Sequence, residues 1–176
     1  MDDVVGLAIA QATDLGAAAR HLDREAEHLR AELAEPDTPV DTAVGLYLAA
    51  LRETLEECGV LPGAQLDAAG LAAMRHRLAE GRSLMDALAA QGLRAPTASL
   101  VPWSRWITPR LASVTRKRFD TRFFVARAPA DQDALHDNHE ATEAVWHTPR
   151  EALLRYWDGQ IELAPPQIMS LSQLAR

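Results

Sequence analysis

Cysteine is nearly missing: Cys58 is the single one in 176 residues. No internal disulfide can form, so packing must hold the fold, and a reducing, cytoplasmic setting is the expectation. Aromatic residues are scarce as well, at 5% against a hydrophobic content of 48%, so alanine and leucine supply much of the apolar surface. That balance excludes a disordered chain and predicts helix-rich structure around one core. Long apolar runs are also lacking; none approaches the ~20 residues that span a bilayer. The opening Met1-Asp2-Asp3 is acidic where a secretory leader would be basic. Positive charge is in deficit, with a formal net charge of -7, which leaves no footprint for nucleic acid or an anionic membrane. An anionic small molecule is not excluded, because a bound divalent cation inverts the local field.

Alanine, leucine, glutamate and arginine dominate from Val4 to Glu35 and predict a helix, with Gly6 and Gly16 as weak points. Pro36 and Pro39 break it. Asp41 or Thr42 then caps a second helix that runs to Cys58, where Gly59 stops it and Pro62-Gly63 prevents a restart. Shorter helices are expected from Asp67 to Glu80 and from Ser83 to Gln91, the latter capped by Ser83. After Pro96 the pattern changes, and Ser99 to Thr108 and Arg118 to Ala128 read as strands. A polar loop, Pro129 to His139, leads to a short strand around Thr142 to Trp146. Thr148-Pro149-Arg150-Glu151 opens a helix with Thr148 as cap, Asp158-Gly159 closes it, and Pro165-Pro166 introduces a last one. The expected organisation is one domain over 1–176: a helical segment at 1–40, a carboxylate helix at 41–60, a helical stretch at 64–95, and strands with C-terminal helices at 98–176.

The second helix carries the chemistry. On a wheel of ~100° per residue, Tyr47, Leu48, Leu51, Leu55 and Cys58 gather around Val44 as a buried face. Glu53 falls opposite, flanked by Glu56 and Glu57. A solvated charged face would give the same pattern, yet Glu53 and Glu57 are a like-charge pair at i, i+4, which is mildly destabilising. Three neighbouring carboxylates offer hard oxygen ligands, and Mg²⁺ or Mn²⁺ would reverse the repulsion. Arg52 lies one turn before Glu56 and is placed to hold it by a charge-assisted hydrogen bond.

Arg52-Glu53-Thr54-Leu55-Glu56-Glu57-Cys58-Gly59-Val60 resembles the second half of the Nudix box. Pro102-Trp103-Ser104-Arg105-Trp106-Ile107-Thr108-Pro109, Arg118-Phe119-Asp120-Thr121-Arg122-Phe123-Phe124, His139-Glu140, Trp146-His147-Thr148-Pro149 and Ala164-Pro165-Pro166 are similar to tracts of one branch of the Nudix hydrolases. That branch includes the peroxisomal coenzyme A diphosphatases of mammals and bacterial relatives. The resemblance implies an α/β fold, a mixed sheet packed between helices, with a helical insertion between the box and Trp103. It implies metal ligation by Glu53, Glu56 and Glu57, and Arg52 as the arginine that orients a glutamate. Glu140, in the polar loop, matches a further glutamate that binds metal or acts as base, with Glu143 as a competitor; Glu53 is the other candidate base. The implied reaction is metal-dependent hydrolysis of a diphosphate linkage in a nucleoside diphosphate derivative, with coenzyme A or acyl-coenzyme A as the substrate class. Trp103, Trp106, Phe119, Phe123 and Phe124 are expected in the core rather than against a ligand, and no histidine spacing suggests zinc.

The chain departs from the family pattern at several positions. Thr54 stands where an aliphatic residue is usual, Val44 where the box opens with a glutamate, and Thr38 where it has a glycine. The glycine-rich opening of the box and the strands before it have no counterpart, so an N-terminally incomplete sheet is expected, whose unpaired edges favour a homodimer. This keeps a second reading open, a catalytically impaired Nudix-like module that binds a nucleotide or a protein. A third is a helical protein with a merely solvated acidic face.

Overall fold

A computed structural model describes residues 19–108, 119–134 and 145–176. Six helices and two strands follow in chain order among them: α1 (Ala26–Glu32), α2 (Val40–Cys58), α3 (Ala68–Ala79), α4 (Leu84–Ala90), β1 (Leu100–Ile107), β2 (Asp120–Ala126), α5 (Pro149–Trp157) and α6 (Pro165–Leu174), with a 3-10 turn at Thr97–Ser99 before β1. The sheet among the described residues is the antiparallel pair β1-β2. The architecture is α/β, with α1 packed on α2, α2 on α3, α3 on α4, and α6 touching both α5 and β1.

The core is built mainly by the helices. Leu22, Leu29, Tyr47, Leu51, Leu55, Leu61, Met74 and Leu88 are all fully buried. Each apolar side chain removed from water contributes about 1.5–3 kcal/mol. Tyr47 joins the helical layer to the sheet. Its ring meets Phe124 of β2 with centroids 4.8 Å apart and tilted by 58°, while its hydroxyl donates to Glu32 Oε2 at 3.3 Å. Burial, and secondarily the charge of Glu32, pushes the Tyr47 phenol well above its ordinary range.

Local signals placed most boundaries. Asp67 accepts from the Gly70 N–H at 2.8 Å and Ser83 from the Asp86 N–H at 3.1 Å, capping α3 and α4. Thr148 and Glu151 form a reciprocal capping box on α5, with Pro149 in the first turn. Helix α2 differs: it starts at Val40 after Pro39 with no side-chain cap, so neither Asp41 nor Thr42 has that role.

The continuous helix expected from Val4 to Glu35 is interrupted. Residues 1–18 lie outside the described residues, and the chain from Arg20 to Glu25 is non-helical. There Leu22 forms an isolated parallel bridge with Ala95. The Asp23 N–H donates to Ala95 O at 3.1 Å and the Ala95 N–H to His21 O at 2.8 Å. The Asp23 carboxylate also accepts from Thr97 Oγ1 at 2.6 Å and from the Ala98 N–H at 3.1 Å. These long-range bonds outweigh helix propensity at Arg20 to Glu25.

Both strands form where expected, with a bulge between Pro102 and Ser104. Pro102 has no N–H for the ladder, which accounts for the irregularity. The aromatic set is less buried than its composition predicts: Trp103 is 37% and Phe119 42% exposed, while Phe124 packs on the core. Of the strand expected around Thr142 to Trp146, residues 142–144 lie outside the described residues, and Val145 and Trp146 are irregular and exposed.

The turn after α2 is tightly built. Gly59 ends the helix at φ 70° with its N–H donating to Leu55 O at 3.1 Å. In the turn Leu61-Pro62-Gly63-Ala64, Gly63 sits at φ 78°, and a Cβ there would lie 2.7 Å from Ser99 Cβ. Gly63→Ala combines backbone strain with this clash, so a loss of about 2 kcal/mol is expected. Thermal unfolding should show it as a fall in Tm of roughly 4–8 °C. An unchanged Tm would show that the Ser99 contact yields freely.

Candidate functional site

The candidate site is the outer face of the last two turns of α2. Its inner face is set by Ala43, Val44, Tyr47, Leu51 and Leu55, all buried, with Leu48 half-buried. This periodicity turns Arg52, Glu53, Glu56 and Glu57 outward. Cys58 does not join the inner face as the wheel predicts; it is exposed, although Leu55 before it and Val60 and Leu61 after it are buried.

Arg52 organises the carboxylates. Its Nη2 donates to Glu53 Oε1 at 2.7 Å, while its Nε lies 3.5 Å from Glu56 Oε2. That Nε is buried and makes no hydrogen bond. The hydrogen bond therefore goes to Glu53 rather than Glu56, contrary to the i, i+4 expectation. The guanidinium is long enough to fold back onto its sequence neighbour, leaving Glu56 with a longer ion pair. The Glu53 hydrogen bond is the largest cause raising the Arg52 pKa; burial opposes it, and the charges of Glu56 and Glu53 add to the rise.

Glu56 is half-buried, and its pKa is raised above the ordinary carboxylate value. Burial is the main cause and the Glu53 charge adds to it, against a partial offset from Arg52. Glu57 is exposed. Thr54 does not disturb the face, since its hydroxyl donates back to Ala50 O at 2.7 Å within the helix. Glu140, Glu143 and His139 lie outside the described residues.

The donor chemistry suits a hard divalent cation, since carboxylate oxygens and a partly desolvated negative charge are what Mg²⁺ and Mn²⁺ bind. Among the described residues no three His, Cys, Asp or Glu side chains converge closely enough to hold an ion. Glu53, Glu56 and Glu57 thus form a carboxylate face rather than a closed cage. Val44, at the position where the box opens with a glutamate, is 1% exposed and belongs to the core.

A second charged group has no counterpart in the sequence reading. Glu35, after α1, accepts from Arg122 Nε at 3.0 Å and from Arg122 Nη2 at 2.6 Å, and pairs with Arg105 Nη1 at 3.0 Å. Arg105 in turn makes two bonds to Asp120, at 2.8 and 2.6 Å. Asp120 and Arg122 share one face of β2 by their i, i+2 spacing, the one local signal that could have grouped them. Arginine hydrogen bonds hold both Glu35 and Asp120 below their ordinary pKa values. Gln132 was also missed. It reads as part of a polar loop but is buried, and it bonds to the turn that follows α2.

Among solved structures, the chain is similar to a Nudix hydrolase from Alicyclobacillus acidocaldarius, with a TM-score of 0.59 and 27% identity over 86% of this chain and 72% of that one. An α/β fold carrying a glutamate-rich helix of this kind defines a Nudix domain. More narrowly, the family model of the NUDT19 Nudix domain matches residues 8–174, and the chain belongs to that family. Nudix hydrolases as a class use divalent metal ions.

Its relatives include the acyl-coenzyme A diphosphatases NUDT19 of Xenopus laevis, 28% identical over 88% of this chain, and of Gallus gallus, 32% identical over 78%. The Homo sapiens protein of the same name is 32% identical over 75% of this chain. The chain spans less than half the length of these relatives, between 39% and 46%. No helix among the described residues is long and apolar enough to cross a membrane.

Proposed function

We infer that this chain takes part in hydrolysing the diphosphate linkage of a coenzyme A or acyl-coenzyme A derivative, assisted by Mg²⁺ or Mn²⁺. The observation that carries this reading is the Arg52-organised carboxylate face of α2, in a domain whose relatives are named acyl-coenzyme A diphosphatases. Glu53, Glu56 and Glu57, with Glu140 as a further donor, are the residues that would hold the ion. When bound, it would polarise the phosphoryl oxygens and acidify a water. Arg52 fixes the Glu53 carboxylate so that it presents a defined oxygen. Glu53 or Glu140 would take the proton from the attacking water, a contribution of roughly 10²–10⁴ in rate. The lone cysteine supports a cytoplasmic setting.

A second reading has its own support. The core position of Val44, and the absence of three converging ligands among the described residues, favour a Nudix-like module that binds a nucleotide or a protein with impaired turnover.

Incubation with coenzyme A, an acyl-coenzyme A or ADP-ribose separates the readings. Cleavage of the diphosphate that requires Mg²⁺ or Mn²⁺ and stops with a chelator is the expected result. Stabilisation by Mn²⁺ without cleavage would establish the binding module instead. A protein whose melting is indifferent to Mn²⁺ and which cleaves nothing would sink the metal reading.

A further inference from the structure

The last turn of α2 is electrostatically ill-favoured. It carries Glu56 and Glu57 at the negative end of the helix dipole, and that turn itself holds no basic residue. Terminal turns also fray, because their last carbonyls lack intrahelical donors. A helix end required to present ligands in fixed positions needs holding from outside.

Such a hold exists. The turn Leu61-Pro62-Gly63-Ala64 closes with the Ala64 N–H donating to Leu61 O at 3.2 Å. Gln132, from the loop after β2 and 6% exposed, grips both ends of this turn. Its Oε1 accepts from the Leu61 N–H at 2.8 Å, and its Nε2 donates to Ala64 O at 2.8 Å. A primary amide supplies a donor and an acceptor side by side; a carboxylate lacks the donor, and a thioether of like volume makes neither bond well. From the other side, Ser99 Oγ lies 3.0 Å from Pro62 O, and its Cβ closes on Gly63. The turn is thus held between the segment leading into β1 and the loop leaving β2.

We propose that Gln132 is a positioning residue for the carboxylate helix: by clamping the Leu61–Ala64 turn it fixes Glu56 and Glu57 relative to the strands and so sets the affinity for a divalent cation. This rests on the metal reading proposed above. Gln132 touches no reacting group in this scheme and acts through the turn.

The test compares Gln132→Met and Gln132→Glu with Met74→Ala, a core truncation in α3 that removes neither Gln132 bond. Two readouts are taken on folded protein well below each melting point: Mn²⁺ affinity by electron paramagnetic resonance, and amide exchange of residues 56–64 in metal-free protein. Both Gln132 variants should bind Mn²⁺ ~tenfold more weakly, on the scale of losing a supporting partner of a metal ligand. They should also exchange faster at residues 56–64, whereas Met74→Ala keeps wild-type Mn²⁺ affinity. Unchanged Mn²⁺ binding in the Gln132 variants, or an equal loss in Met74→Ala, overturns the proposal while leaving the metal reading intact. Failure of both Gln132 variants to fold makes the residue a folding determinant and overturns it too. A wild type that binds no Mn²⁺ removes the metal reading and this proposal together.

Discussion

Replacing Glu56 with Gln should lower metal-dependent turnover by at least ~100-fold while leaving the metal-free protein no less stable than wild type. The loss follows from the proposed ligand role, since a catalytic ion contributes several kcal/mol and each 1.4 kcal/mol is about tenfold in rate. The stability half follows from the protein's own electrostatics. The Glu56 carboxyl has a raised pKa in the fold, chiefly from burial and then from Glu53. The fold therefore prefers its protonated form, and Glu56 detracts from stability as pH rises through that raised value. Gln keeps the shape without the charge, so the destabilising contribution disappears at neutral pH. Steady-state kinetics with Mg²⁺ and thermal melts in chelator check the two halves. A variant that still turns over at the wild-type rate would remove Glu56 from the site, and a variant that melts well below wild type would mean the Arg52 ion pair outweighs burial.

Arg122→Met should be the most damaging substitution among the ion pairs. Arg122 and Glu35 are only 12% and 14% exposed at their side chains. Losing the guanidinium leaves Glu35 with Arg105 and the Thr38 hydroxyl and strips Asp120 of a partner at 2.9 Å. Breaking a fully buried pair costs 3–5 kcal/mol, and the residual exposure here lowers the expected loss to about 2 kcal/mol. In a chain of this size that is a fall in Tm of roughly 4–8 °C. The pH dependence carries the same signature. Glu35 and Asp120 both have depressed pKa values, so their contribution is present above the ordinary carboxylate range of about 4 and is lost as pH falls through their lowered values. Wild type should lose stability steeply on acidification, and Arg122→Met should lose less over the same interval. Parallel acid limbs for the two proteins would show that the network does not couple to folding.

What could be read from the sequence was local. Helix α2 was legible because its apolar period, its glycine stop and the Pro62-Gly63 sequence all agree, and α5 because Thr148, Pro149 and Glu151 form a start signal within one turn. The carboxylates of the candidate site stand out for the same reason. What could not be read depends on partners far along the chain. The Gln132 bond to Leu61 spans 71 residues and the Glu35 pair with Arg122 spans 87. The break at Leu22 exists only because Ala95 is beside it. Even within α2, side-chain length defeated spacing: Arg52 chose Glu53 at its side over Glu56 one turn away. Cys58 departs from the wheel as well, exposed between the buried Leu55 and Leu61.

The Leu22–Ala95 bridge, reinforced by Asp23 on Thr97 and Ala98, has a topological consequence. It brings the two ends of the stretch 22–95 side by side, so the helical layer is a closed loop through which the chain enters and leaves at one point. Changes of length inside that loop are absorbed there, and lengthening a flexible loop costs only about 0.6 kcal/mol per doubling. The register of β1 is set outside it, by pairing with β2. Beyond the clamped Leu61–Ala64 turn, the stretch that carries α3 and α4 can therefore grow or shrink over evolution without dragging the strands out of place.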